Sequence, residues 1–109
     1  MSENKFLVIG FGNMGSLHVK ILTALIPTVR IDIVDDQEIK IPQNCTKINF
    51  EDITNINEYR GIIVATHTDT HLEYFEKLGD YKKLIFIEKP IVNNQKDFIK
   101  LKKINKKNI

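Results

Sequence analysis

The apolar residues of this chain fall into short blocks separated by glycine, proline and acidic positions. Lys5 to Ile9 (KFLVI), Val29 to Val34 (VRIDIV), Gly61 to Ala65 (GIIVA) and Leu84 to Ile87 (LIFI) carry few polar interruptions, the pattern of strands covered on both faces. Between the first two blocks the period changes. From Met14 to Ile26 the residues Leu17, Ile21, Leu22 and Leu25 recur at helical spacing until Pro27 stops the run. Thr70 to Gly79 predicts a second helix, with Leu72, Phe75 and Leu78 on its apolar face and Gly79 as its C-terminal stop. Gln95 to Lys106 predicts a last one. The middle of the chain is less regular: Gln37 to Pro42 reads as loop or a short helical turn, Cys45 to Phe50 as a short edge strand around TKINF, and Ile53 to Tyr59 as a helical turn.

Strands alternating with helices imply a parallel sheet with right-handed crossovers, and this spacing predicts five strands in the order 3-2-1-4-5. The expected fold class is α/β, a doubly wound sheet. At 109 residues the chain has room for one such domain, spanning 1–109. In this architecture a ligand sits at the carboxyl ends of the strands, where the winding reverses. The loops after Ile9, Val34, Ala65 and Ile87 are expected to converge there.

The loop after Ile9 carries the chemistry. Glycines stand at 10, 12 and 15, between an apolar strand and the start of a helix. Gly10 permits a tight turn, Gly12 lets the backbone approach a phosphate, and Gly15 lets the helix lie close to the sheet. With Phe11, Asn13 and Met14 they form a candidate pyrophosphate cradle, at a helix N-terminus that favours an anion. Asp35 closes the second strand twenty positions beyond Gly15, where a carboxylate would meet an adenosine ribose. It could also simply end the strand. Asp36 adds negative charge, and Gln37 and Glu38 supply no cation, so the pattern favours NAD over NADP.

Composition narrows the partners. A formal charge of +2 gives no case for nucleic acid or a membrane surface. The basic excess gathers between Lys96 and Lys107, where Lys100, Lys103 and Lys107 would share a solvated face opposite Phe98, Leu101 and Ile104. Cys45 is the only cysteine, so no intrachain disulfide forms, and no metal-ligand spacing surrounds it. No apolar run has the length of a membrane span or the form of a signal peptide, and the expected location is the cytoplasm.

Four pieces in order resemble the N-terminal half of the glucose–fructose oxidoreductase, inositol dehydrogenase and rhizopine-catabolism family, Gfo/Idh/MocA. GFGNMGSLH from Gly10 to His18 is similar to the family's GxGxMGxxH. Asp35 stands at its ribose position. IIVATHTDTH from Ile62 to His71 resembles a strand followed by A-T-P-x-x-x-H, and Glu88-Lys89-Pro90 matches its Glu-Lys-Pro. His67 departs from the family's proline and would put an imidazole near the nicotinamide ribose. The stretch from Gly79 to Glu88 is also longer than usual.

The resemblance implies a Rossmann-type cofactor domain, with Ala65, Thr66, His67, His71, Glu88 and Lys89 joining the cofactor site. On the residues alone, Thr66 and His67 equally suit an ordinary strand-to-helix turn, His71 suits packing or capping, and His18, one turn into the first helix, suits a structural polar contact. Lys89 is the position expected to touch substrate or cofactor directly. In the family a C-terminal α/β domain supplies most of the substrate pocket, and these residues lack it. The expectation is an NAD-binding domain of an oxidoreductase acting on a sugar, polyol or related hydroxyl compound, not competent for turnover alone. A non-catalytic NAD(H)-sensing module or degenerate remnant is the alternative. A nucleotide-methyl-donor site also suits Asp35, but Glu-Lys-Pro argues against it. The apolar strand Leu84 to Ile87 is expected at an edge, open to self-association or to a separate C-terminal substrate domain.

Overall fold

The computed structural model describes residues 4–67, 70–87 and Lys96. Its strands are β1 (Lys5–Ile9), β2 (Arg30–Val34), β3 (Cys45–Ile48), β4 (Gly61–Val64) and β5 (Leu84–Ile87). The helices are α1 (Asn13–Leu25) between β1 and β2, and α2 (His71–Lys77) between β4 and β5. All strand pairs are parallel and the order is β3-β2-β1-β4-β5, as the alternation predicts. The winding reverses between β1 and β4, which lie side by side with Ile9 opposite Val64.

Alternation along the strands divides the core in two. Leu7 and Ile9 of β1, Ile62 and Val64 of β4, and Ile85 and Ile87 of β5 face Phe75 and Leu78 from the α2 segment, with Tyr59 and Tyr81. Val8, Ile31, Ile33 and Ile63 face the opposite way, toward Val19 of α1. No helix links β2 to β3 among the described residues. Ile39 and Ile41 of that connection cover the sheet instead. The crossover from β3 to β4 is made by two single turns of tight helix, Phe50–Asp52 and Ile56–Glu58. The expected edge strand therefore stops at Ile48, and Phe50 already belongs to the first of these turns.

The rotation of α1 differs from what its leucines suggest. Gly15 and Val19 are buried, and Leu22 and Ile26 are partly so, whereas Met14, Leu17, Ile21 and Leu25 face outward, Leu25 at 74 % exposure. Gly15 decides this. A Cβ there would stand 1.9 Å from the carbonyl oxygen of Gly10, so only glycine allows the helix so close to the loop. That contact turns the Gly15–Val19–Leu22 side inward whatever lies on the other faces. On β5, Leu84 and Phe86 are also outward, at 67 % and 50 % exposure, and the Phe86 ring meets His18 edge-on at 5.1 Å.

A polar chain closes the amino end of the sheet. The Tyr81 hydroxyl donates to the carbonyl of Tyr59 at 3.0 Å, and the Tyr59 hydroxyl donates to Asp32 at 2.6 Å. Asp32 faces Lys5 at 3.4 Å, and Lys5 also pairs with Glu58. The hydrogen bond that the Lys5 ammonium donates to Glu58 holds its pKa above the usual range. Burial raises both phenols, Tyr81 to about 12, and the Asp32 carboxylate adds to the rise at Tyr59. This network holds β1, β2 and the crossover in register, leaving the carboxyl ends of the strands for the site.

Candidate cofactor site

The loop between β1 and α1 is fixed from both sides by continuing the sheet's hydrogen bonds. The Gly10 N–H donates to Val34 at 2.7 Å, and the Ala65 N–H donates to Ile9 at 2.8 Å. Gly10 has φ +96°, and a Cβ there would meet the Ala65 carbonyl oxygen at 2.8 Å, so backbone and space both require glycine. Gly12 is different. A Cβ added to it meets nothing within 4 Å. It stands at the start of α1, which opens with no side-chain cap and no acidic residue in its first turn. Uncapped N–H groups beside open space are what a phosphate needs, and the residues present fit the pyrophosphate of a dinucleotide.

A cavity of about 640 Å³ lies over this loop. Gly10, Phe11, Gly12, Asn13 and Met14 line one wall, and Asp35, Asp36 and Gln37 line another. Ala65, Thr66 and His67 form a third, on the far side of the glycine loop from Asp35. Asp35 is locked in place: one carboxylate oxygen accepts the Phe11 N–H at 2.8 Å and the other accepts the Gln37 N–H at 2.8 Å. Each oxygen keeps a further lone pair for a ribose hydroxyl. The same group that would read the ribose therefore also fastens the glycine loop to the end of β2.

Two expected residues stand behind the wall. Gly15 packs against Gly10, as above. His71 is 1 % exposed, with Nε2 3.1 Å from the Thr66 carbonyl oxygen, where it fastens the turn between β4 and α2. It is not among the residues that line the cavity, and its Nε2 contact is to the Thr66 carbonyl. The same turn is tightened by Thr70, whose hydroxyl lies 2.7 Å from both the Thr66 hydroxyl and the His67 carbonyl oxygen. Glu88 and Lys89 lie outside the described residues.

Thr70, Glu73 and Tyr74 also line the cavity and are not among the site residues expected from the sequence. Glu73 pairs with Lys77 at 3.5 Å, and the Lys77 ammonium sits over the rings of Tyr74 and Phe50 at 5.1 Å and 5.4 Å. Burial raises the Tyr74 phenol, while Lys77 opposes the rise and Glu73, Asp36 and Glu51 add to it. The only signal for these residues was their position in the first two turns of a helix leaving a site-bearing strand.

The fold matches that of solved proteins. The chain superposes on a solved myo-inositol dehydrogenase from Lactobacillus casei, in complex with NAD(H) and myo-inositol, with TM-score 0.73 and 21 % identity, covering 92 % of this chain and 32 % of that one. A protein from Desulfitobacterium hafniense described as an NADPH-dependent oxidoreductase gives TM-score 0.78 and 18 % identity, covering 98 % and 33 %. The WlbA dehydrogenase of Chromobacterium violaceum, with NADH and UDP-GlcNAcA, gives 0.71 and 15 %, covering 95 % and 32 %. These likenesses concern the fold, and the chain spans about a third of each relative's length. No curated protein matches it. The model of the oxidoreductase family with an NAD-binding Rossmann fold matches residues 4–108, nearly every position, and so this chain belongs to the Gfo/Idh/MocA oxidoreductases.

Proposed function

We propose that these residues are the cofactor half of a cytoplasmic oxidoreductase that moves a hydride between NAD(H) and the CH–OH carbon of a sugar, polyol or related hydroxyl compound. The observation that carries this reading is the open space at Gly12 sharing one cavity with the braced carboxylate of Asp35. Gly12 and the start of α1 hold the pyrophosphate, Asp35 holds the adenosine ribose, and Thr66 and His67 border the next part of the cofactor. A bound nicotinamide ring supplies the hydride acceptor or donor. Asp35 and Asp36 favour NAD, because a 2′-phosphate would be set against two carboxylates.

Lys89, beside Glu88, contacts substrate or cofactor in this reading, on the strength of the Glu-Lys-Pro resemblance. Positioning a substrate and moving its proton require more than one wall of a cleft. These 109 residues accordingly bind cofactor without turning over, and the remaining groups come from the part of the relatives that the match leaves uncovered. Strand β5, the edge of the sheet among the described residues, with Leu84 and Phe86 outward, is the surface for that second domain or for a second copy of the chain.

Calorimetric titration with NAD⁺, NADH and NADP⁺ tests the reading. The expected result is binding of NAD⁺ and NADH, with NADP⁺ weaker by about tenfold or more. A folded chain that binds none of them, or that prefers NADP⁺, overturns it.

A further inference from the structure

Among the described residues, the large apolar side chains left exposed are Met14, Leu17, Ile21 and Leu25 on α1 and Leu84 and Phe86 on β5. They are not scattered. Ile85 and Ile87 face the α2 side of the sheet, so Leu84 and Phe86 face the α1 side, where the Phe86 ring meets His18 of α1. The six therefore border one surface, with His18 between its two parts. At these exposures they present on the order of 500 Å², near the upper end of what a monomer leaves in one apolar patch.

The helix supplies the pattern. Met14, Leu17, Ile21 and Ala24 are exposed and follow one another at steps of three, four and three, the seam spacing by which helices pair. Packing against the sheet does not use this stripe, because Gly15, Val19 and Leu22 fill that role. α1 carries no acidic residue, and exposed Lys20 flanks the stripe as a polar rim does. The spacing also reads the same from either end. A two-fold axis between Leu17 and Ile21 sets Leu17 of one copy against Ile21 of the other, and Met14 against Ala24, large against small.

We propose that two copies of this chain pair antiparallel through the outward side of α1, about that axis, and cover Leu84 and Phe86 at the margin of the contact. This rests on the reading of β5 as a docking surface, moves the contact from the strand's edge to the flank of α1, and commits it to a second copy. The two patches together bury about 1,000 Å² before any rim is counted, the size at which a specific interface begins.

Sedimentation equilibrium of the 109-residue chain, from micromolar to millimolar concentration, should show a monomer and dimer in exchange. Leu17→Lys with Ile21→Lys should weaken the dimer about a hundredfold or more, since apolar contacts are lost and the two lysines face each other across the axis. Both positions are 45 % exposed in the single chain, so the variant should unfold at the native temperature when both are monomeric. Direction is read by oxidising a mixture of Leu17→Cys and Ile21→Cys chains. The mixed disulfide should exceed either like pair, while Cys45, buried and with its thiol pKa raised by that burial, stays out of the reaction. A chain that is monomeric throughout, a dimer that survives both lysines, or a preference for like pairs overturns the proposal. Leu17 and Ile21 do not line the cofactor cavity, so NAD⁺ titration of the same proteins judges the dinucleotide reading separately.

Discussion

Replacing Asp35 by alanine should uncouple two properties that the native carboxylate joins. In the folded chain its oxygens accept from Phe11 and Gln37, each at 2.8 Å, the first bond partly buried and the second exposed. A hydrogen bond to a charged group is worth about 1.5–3 kcal/mol, and solvent screening puts the exposed one below that range. Alanine therefore costs about 2–3 kcal/mol of stability, which lowers the midpoint of thermal unfolding by roughly 8–20 °C in a domain of this size. Asparagine keeps one acceptor oxygen, and Asp35→Asn should lose about half as much. The ribose contacts form a separate loss: without the carboxylate, NAD⁺ affinity should fall about ten- to hundredfold. Calorimetric titration at 10 °C, with folding verified by circular dichroism, measures affinity apart from stability. An alanine variant that unfolds at the native temperature would refute the bracing role. One that is destabilised but binds NAD⁺ with native affinity would refute the ribose contact.

The glycines should separate in the same way. Gly12→Ala, whose Cβ meets nothing in the protein, should unfold with the native chain in a thermal melt yet bind NAD⁺ about tenfold or more weakly, because the added methyl occupies the phosphate space. Gly15→Ala places its Cβ 1.9 Å from the Gly10 carbonyl oxygen, so α1 must move, and denaturant titration should show a loss of about 3 kcal/mol or more. The buried phenols set an alkaline limit. Raised pKa values in the folded state mean that their contribution is complete below pH 10, the model-phenol value, and is lost as pH rises through about 12 at Tyr81. Urea titrations between pH 9 and 12 should show stability falling with pH, and Tyr81→Phe should flatten that fall. At the edge strand, Leu84→Lys with Phe86→Lys should abolish any concentration-dependent self-association seen by light scattering; association that survives both changes does not use β5.

The strands β1, β2, β4 and β5 were legible because each is a short, largely apolar run, and their alternation with helices implies a parallel sheet; β3 was weaker, with Thr46 and Lys47 exposed in its middle. The glycines at 10, 12 and 15 were legible because they fall within one strand-to-helix turn, and Asp35 because it ends the next strand of the same βαβ unit. The rotation of α1 was not, since Leu17, Ile21 and Leu25 compete with Val19 and Leu22 for the inward face, and the decision rests on a contact between Gly15 and Gly10 that periodicity does not carry. Thr70, Glu73 and Tyr74 enter the cavity only through the placement of α2 over the sheet. Asp32 is a charge inside a strand, and its partners lie 27 residues ahead at Tyr59 and, on the neighbouring strand, at Lys5. Such long-range pairing leaves no local mark.

The side-by-side placement of the glycine loop and the β4 turn has a consequence for how the chain matures. Gly10 leans on Val34 and Ala65, so the phosphate cradle is not shaped until a segment more than fifty residues downstream has been added. While the chain is being synthesised, β1 can pair with β2 alone, and its other edge stays open until β4 arrives. Closing that long loop costs conformational entropy before its contacts repay it. The cradle's shape thus waits on the pairing of β4 with β1, and a dinucleotide that binds only the paired form draws that pairing forward by mass action.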